Sequence, residues 1–260
     1  MKLEASDFGK VAVLMGGTSN ERDISLESGE AVLNALLRKK ISAVSIDPKK
    51  HNLNKLADFD RAFICLHGKD GEDGEIQTFL EAINLPYTGS DILSSSLGMD
   101  KFKSKTIWKS KKISTPNFMQ VKHIHDFEKA SNCCGLPFFI KPANSGSSIG
   151  IAIINNENDF IFAFKEAYKI DEIVIVESYI VGNEYTLPII NNKPFPIIEI
   201  KPKTEFYDYE AKYNSNAKTK HIIPVNFSKN DLNKIENIAS KTHQIIGCRG
   251  VTRSDFKFYK

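Results

Sequence analysis

The 260-residue chain predicts an α/β protein, a doubly wound parallel-sheet domain followed by α+β parts. Three observations carry that prediction. Up to residue 84, short apolar runs alternate with stretches of helical spacing, the order that builds a parallel sheet with right-handed crossovers. From residue 137 the order becomes strand, loop, strand, helix, strand, which breaks the alternation. Further on, two β-rich runs flank Asn191-Asn192-Lys193, a link short enough to favour an antiparallel hairpin.

Taken in order, residues 10–15 (KVAVLM) form an apolar run that stops at Gly16-Gly17, after which Leu26, Leu33, Leu36 and Leu37 recur at helical spacing. That is strand, glycine turn, helix. Residues 41–46 and 61–66 read as two more strands, with turn signals at Asp47-Pro48 and His67-Gly68. Ile76, Phe79, Leu80 and Ile83 give residues 74–84 a helical face, and residues 91–112 read as one helix that Pro116 closes off. Strands at 137–141 and 149–154 flank a small-residue loop, followed by a helix over 157–168 and a strand over 172–177. The hairpin spans 184–190 and 195–200. A polar stretch, 203–220, precedes a run at 221–225, a helix over 228–246 and a last strand from 251. No internal repeat or low-complexity segment interrupts the chain. The domains expected are 1–97, 98–182 and 183–260.

Composition excludes several function classes. With 41% hydrophobic and 26% charged residues the chain has enough apolar material for a folded core. Its 35 basic residues against 32 acidic ones leave +3, scattered apart from a cluster over 101–112, so a counterion-releasing nucleic-acid stripe is not expected. No apolar run approaches the ~18 residues of a membrane span. Residues 1–9 carry Glu4 and Asp7 and lack the apolar segment of a signal peptide, which points to the cytoplasm. The four cysteines, Cys65, Cys133, Cys134 and Cys248, have no metal-ligand spacing and read as reduced thiols.

Four segments carry candidate chemistry. Gly16-Gly17-Thr18-Ser19 lies between a strand and a helix, where backbone N–H groups meet anions, although a plain βα turn fits as well. The polar run from Asn20 to Ser25 then falls at a strand's carboxyl end, where open α/β sheets bind ligands. Residues 67–74 (HGKDGEDG) place His67 at another strand end, in a glycine-rich loop that reads equally as a solvated turn. Residues 141–150 (KPANSGSSIG) are the strongest local signal: a lysine at the base of a small-residue loop supplies one cation and several N–H and hydroxyl donors, the groups a nucleoside triphosphate needs. Residues 173–184 form an apolar strand and an irregular link with a carboxylate at each end, Glu177 and Glu184, suited to a nucleoside or to a simple hinge.

In order, GGTSNERDISLESG, LHGKDGEDGEIQ, LPYTGS, MDKFKSK, IKPANSGSSIG and FYDYEAKY resemble the D-alanine–D-alanine ligase family of the ATP-grasp superfamily across essentially the whole chain. The resemblance implies an ATP-grasp architecture and a ligase that phosphorylates one D-alanine with ATP, then joins it to a second for peptidoglycan synthesis. It implies that Lys101 and Lys141 hold the ATP phosphates and that Ser147 and Ser148 cap them. Glu177, Tyr179 and Ile180 would bind adenine, and Glu184 the ribose. Glu21 would hold the ammonium of the first D-alanine, with His67 near its carboxylate. Glu21, Ser147 and Tyr213 would form a hydrogen-bonded trio with a loop over Tyr209 to Tyr213, from which Lys212 reaches the transferred phosphoryl group. Arg253 would stabilise the tetrahedral intermediate and Asp255 would bind Mg²⁺ or Mn²⁺. A homodimer is implied as well.

Two departures accompany the resemblance. Ser254 stands where the family has an aliphatic residue. The family's second metal-binding carboxylate and an asparagine follow on a further strand, whereas this sequence stops five residues after Asp255. The expectation drawn is a C-terminally truncated member with an open sheet edge and reduced stability and solubility. The alternative reading is an inactive homologue that keeps only nucleotide binding.

Overall fold

The computed structural model describes residues 3–146, 148–202 and 219–258, and the chain divides into two units, residues 1–96 and 97–260. The first unit is built on a parallel sheet of β1 (Lys10–Leu14), β2 (Ser42–Ile46) and β3 (Arg61–Ile64) in the order β2-β1-β3. Val11 to Leu14 are all buried, as a central strand covered on both faces requires. On one face α1 (Arg22–Arg38) sets Leu26, Val32, Leu33 and Leu36 against Val13, Met15 and Cys65. On the other, α2 (Glu75–Ala82) sets Ile76 and Leu80 against Ala12, Leu14 and Ile46, which makes the sheet doubly wound as expected. The approach of α1 depends on Gly29, where a Cβ would lie 2.4 Å from Met15 Cβ.

The single helix expected over 91–112 is two: α3 (Ile92–Met99) and α4 (Lys101–Ser110). Asp100 between them has extended backbone, and its side chain accepts from Lys103 N at 2.9 Å, so it caps a new helix instead of continuing the old one. The break makes Lys101 the first residue of α4.

In the second unit β4 (Phe118–Val121), β5 (Phe138–Pro142), β6 (Ala152–Ile154) and β7 (Val174–Ser178) form an antiparallel sheet in the order β4-β7-β5-β6. Helices α5 (Phe127–Cys134) and α6 (Glu157–Ile170) bury Phe138, Phe160 and Phe164 against it with Val174 and Val176. The strand expected from 149 begins only at Ala152, because Ser148 and Gly150 have φ of 62° and 73° and turn the chain first.

A second antiparallel sheet joins β8 (Asn183–Ile190), β9 (Lys193–Pro194), β10 (Ile198–Lys201), β11 (Lys220–Ile222) and β12 (Val251–Phe258), with the path β11-β10-β8-β12 and β9 on β8. The expected hairpin is present: Ile190 pairs with Lys193 across Asn191 and Asn192, whose positive φ of 49° and 63° suit a two-residue turn. Its return arm, expected unbroken over 195–200, splits into β9 and β10. The run expected at 221–225 is strand only over Lys220–Ile222. Helix α7 (Lys229–Ile246) packs Ile235 and Ala239 on Tyr185, Leu187 and Ile189. No helix among the described residues is long and apolar enough to cross a membrane.

Candidate active site

In the first unit the loops that follow β1 and β3 leave the carboxyl end of a parallel sheet, and the structure ties them together. The buried Ser25 hydroxyl accepts from Gly16 N at 2.8 Å and donates to Cys65 O at 2.7 Å. Ser19 Oγ donates to His67 O at 2.8 Å, and Thr18 Oγ1 to Asp70 Oδ2 at 2.6 Å. Neither loop is an independent turn.

Asp47, at the end of β2, locks the glycine turn. Its Oδ1 accepts from Gly17 N at 3.1 Å, and Arg22 reaches it at 2.6 Å while donating to Gly17 O. Burial pushes the Asp47 carboxyl up, but the bonds from Arg22, Gly17 and Lys49 outweigh it and hold the group at about 2. Glu21 directly precedes α1 and is buried at 8% exposure. Opposite it, Gly68 has φ of +65°, and a Cβ there would come within 2.1 Å of Glu21 Oε2. His67 Nε2 lies 3.5 Å from Ser28 Oγ and its Nδ1 3.7 Å from Glu72 Oε1. Glu21 and His67, named from sequence, therefore belong to one loop cluster of this unit.

In the second unit the break before α4 brings Lys101 to the 143–151 loop. Lys101 N donates to Ala143 O at 3.1 Å, and its Nζ donates to Ala143 O and Ser145 O. Burial, and then the nearby Lys141 cation, bring its ammonium down to about 8. Lys141 Nζ pairs with Glu177 Oε1 at 2.9 Å, and Lys105 Nζ with Glu177 Oε2 at 2.6 Å. Burial works to raise the Glu177 carboxyl, yet the two ammonium groups prevail and keep it low. Tyr179 packs its ring 5.2 Å from that of Phe139, and Ile180 follows it, partly exposed.

Register places the remaining residues on one face of β8 and β12. Asp255 lies opposite Thr186, which donates to Asp255 Oδ1 at 2.7 Å. Lys257 lies opposite Glu184 with its Nζ 3.6 Å from Glu184 Oε1 and 5.6 Å from the Tyr179 ring centroid. Arg253, two residues before Asp255, pairs with it through Nε and Nη2 at 3.0 Å each. Ser254 points to the opposite, half-buried side.

Ser147, Lys212 and Tyr213, with Tyr209, lie outside the described residues. Sequence reasoning gave no individual role to Lys105, inside MDKFKSK, to Ser25, at the end of the polar run, to Asp47 or to Lys257. Lys105 had a signal in its spacing, since it lies one helical turn from Lys101 on the same face. Lys257 had one in the alternation of strand 251–258 with Arg253 and Asp255.

A family model described as the D-ala D-ala ligase C-terminus matches residues 107–260, and one described as its N-terminus matches residues 47–90. The chain is 45% identical to the D-alanine–D-alanine ligase of Dechloromonas aromatica over 251 residues, 96% of this chain and 83% of the relative. It is 43% identical to that of Acinetobacter baylyi over 253 residues, 96% and 82% of the two chains. Among solved structures, D-alanine–D-alanine ligase from Bacillus anthracis matches with a TM-score of 0.84 at 31% identity, covering 96% of this chain and 83% of the other. The same ligase complexed with ATP matches with a TM-score of 0.82 at 27% identity, covering 97% and 82%.

Proposed function

The chain belongs to the D-alanine–D-alanine ligase family and is an ATP-dependent ligase, and from that premise we propose how its own residues carry the reaction. A carboxylate oxygen of the first D-alanine attacks the γ-phosphorus of ATP, ADP leaves, and a D-alanyl phosphate forms. The amine of the second D-alanine attacks its carbonyl carbon, phosphate leaves, and the amine sheds a proton. D-alanyl-D-alanine is the product, a building block for peptidoglycan.

The observation that carries the assignment of roles is that Lys101 Nζ bonds the 143–151 loop while Lys141, just before that loop and close enough to repel Lys101, pairs with Glu177. Phosphoryl transfer is mostly positioning and charge neutralisation, and two ammonium groups at a loop of amides and hydroxyls supply both. Lys101, Lys141, Ser147 and Ser148 hold the phosphates. Glu177, Tyr179 and Ile180 hold adenine, and Glu184 the ribose. In the first unit Glu21 holds the substrate ammonium and His67 lies by the carboxylate. The roles that the resemblance implies for Ser147, Tyr213 and Lys212 fall on residues outside those described. Arg253 donates to the oxyanion of the tetrahedral intermediate.

Asp255 offers a hard oxygen ligand of the kind Mg²⁺ or Mn²⁺ takes alongside substrate phosphates, and its exposed position on the sheet face fits that role. When bound, such an ion neutralises phosphate charge. The setting proposed is a cytoplasmic homodimer.

The test is phosphate release by the 260-residue chain with ATP, with and without D-alanine, and mass detection of the dipeptide. Release that requires D-alanine and is lost in Glu21→Gln is the expected result. ATP-induced thermal protection with no release would favour the second reading, a nucleotide-binding homologue without turnover.

A further inference from the structure

We propose that Lys105 is a positioning residue, the standing counter-ion of Glu177 that frees Lys141 to engage the ATP phosphates. The proposal rests on the reading of 101–184 as an ATP site. Its basis is a buried group of three charges: Lys105 Nζ at 2.6 Å and Lys141 Nζ at 2.9 Å from the two oxygens of Glu177, with side-chain exposures of 7%, 14% and 15%. Two ammonium groups share one carboxylate, so the group carries one positive charge in excess.

The two lysines are not equivalent. Lys105 comes from α4 and is anchored away from the loop, donating to Thr115 Oγ1 at 2.6 Å and lying 5.1 Å from the Phe118 ring centroid. Lys141 comes from the end of β5, directly before the 143–151 loop. A phosphate oxygen can draw Lys141 off Glu177 only if the buried carboxylate keeps another partner, because an unpaired buried charge is strongly unfavourable. Lys105 is that partner. Without it, Lys141 and Glu177 form a neutral one-to-one pair, and each competes with the nucleotide for the other.

The sign of the epistasis tests this. Lys105→Met should weaken ATP binding, read by calorimetry, about tenfold or more, and raise the KM for ATP more than it lowers kcat. Lys105→Arg, which keeps the charge, should stay within about threefold of the parent. In a Glu177→Gln background, compared with Glu177→Gln alone, Lys105→Met should cost less than about threefold, since no buried anion then holds Lys141. Thermal melts confirm that each variant is folded. An equal Lys105→Met loss in the parent and Glu177→Gln backgrounds, or a loss shared equally by kcat and KM, would overturn the proposal in favour of a packing role. A loss in Lys141→Met with none in Lys105→Met would also overturn it while leaving the ATP site standing. Unchanged affinity in both Lys141→Met and Lys101→Met would sink the ATP-site reading and the proposal with it.

Discussion

Gly68 lies against Glu21 so closely that a Cβ at position 68 would come within 2.1 Å of Glu21 Oε2. The backbone there also has φ of +65°, so any side chain is strained twice over. Gly68→Ala should displace the Glu21 carboxylate while leaving the 97–260 unit untouched. The expected outcome is a fall in kcat/KM for D-alanine of about a hundredfold, with ATP affinity unchanged. Equal losses for both substrates would show that the damage is not local to Glu21.

Asp47 links the glycine turn to stability. Its carboxyl, at about 2 in the fold against 3.8 for an ordinary aspartate, is a depressed acid. Its contribution is therefore present above pH 4 and lost as pH falls from about 4 to about 2. Linkage puts that contribution at about 2 kcal/mol for this well-buried group. Asp47→Asn should lower the stability of the first unit at pH 7 by a similar amount and flatten its acid limb in a pH series of denaturant melts. An unchanged acid limb would remove Asp47 from the account.

Phe160 tests the core beneath the strands that flank the 143–151 loop. It is fully buried, with its ring 6.3 Å from that of Phe138, which stands three residues before Lys141 on β5. Phe160→Ala should destabilise the second unit by roughly 3–5 kcal/mol through the cavity it leaves, measured by denaturant unfolding. A smaller loss than Ile-to-Val changes usually give would mean that α6 collapses into the gap.

These residues also show how far the sequence could be read. The strand–turn–helix order made the doubly wound unit visible because its periodicities are long and clean, and Asn191-Asn192 announced its hairpin through residues that tolerate positive φ. The break at Asp100 was hidden, since a capping aspartate inside a helical pattern looks like any exposed polar residue. Strand β4 and helix α5 were missed because four residues, FMQV, and two polar turns, FEKASNCC, are too short to display a period. Within the site, roles could be read for Lys101, Lys141 and Glu177, whereas Lys105, inside the MDKFKSK motif, and Asp47, at a turn signal, received none. Their partners, Glu177 and Arg22, lie 72 and 25 positions away, and only folding shows that pairing.

With Lys101 at the ATP phosphates, as proposed, ATP binding should depend on pH in a direction that opposes the effect of Lys101 on stability. Burial, then repulsion from Lys141, outweighs the attraction of Asp171, Glu177 and Asp100 and sets its ammonium at about 8. Below that pH the group is charged and attracts phosphate. Above it the amine keeps two N–H donors, enough for both Ala143 O and Ser145 O, so the loop stays in place while the charge is lost. ATP affinity should therefore be level up to about pH 8 and then fall, approaching tenfold per pH unit. For folding the sign reverses. Between about 8 and 10.5 the folded chain binds fewer protons at this site than the unfolded chain, so its unfavourable contribution at neutral pH is relieved as pH rises. Lys101→Arg, charged throughout the range, should hold affinity level from pH 7 to 9.5 in calorimetric titrations. A decline of the same slope in that variant would assign the titration to another group.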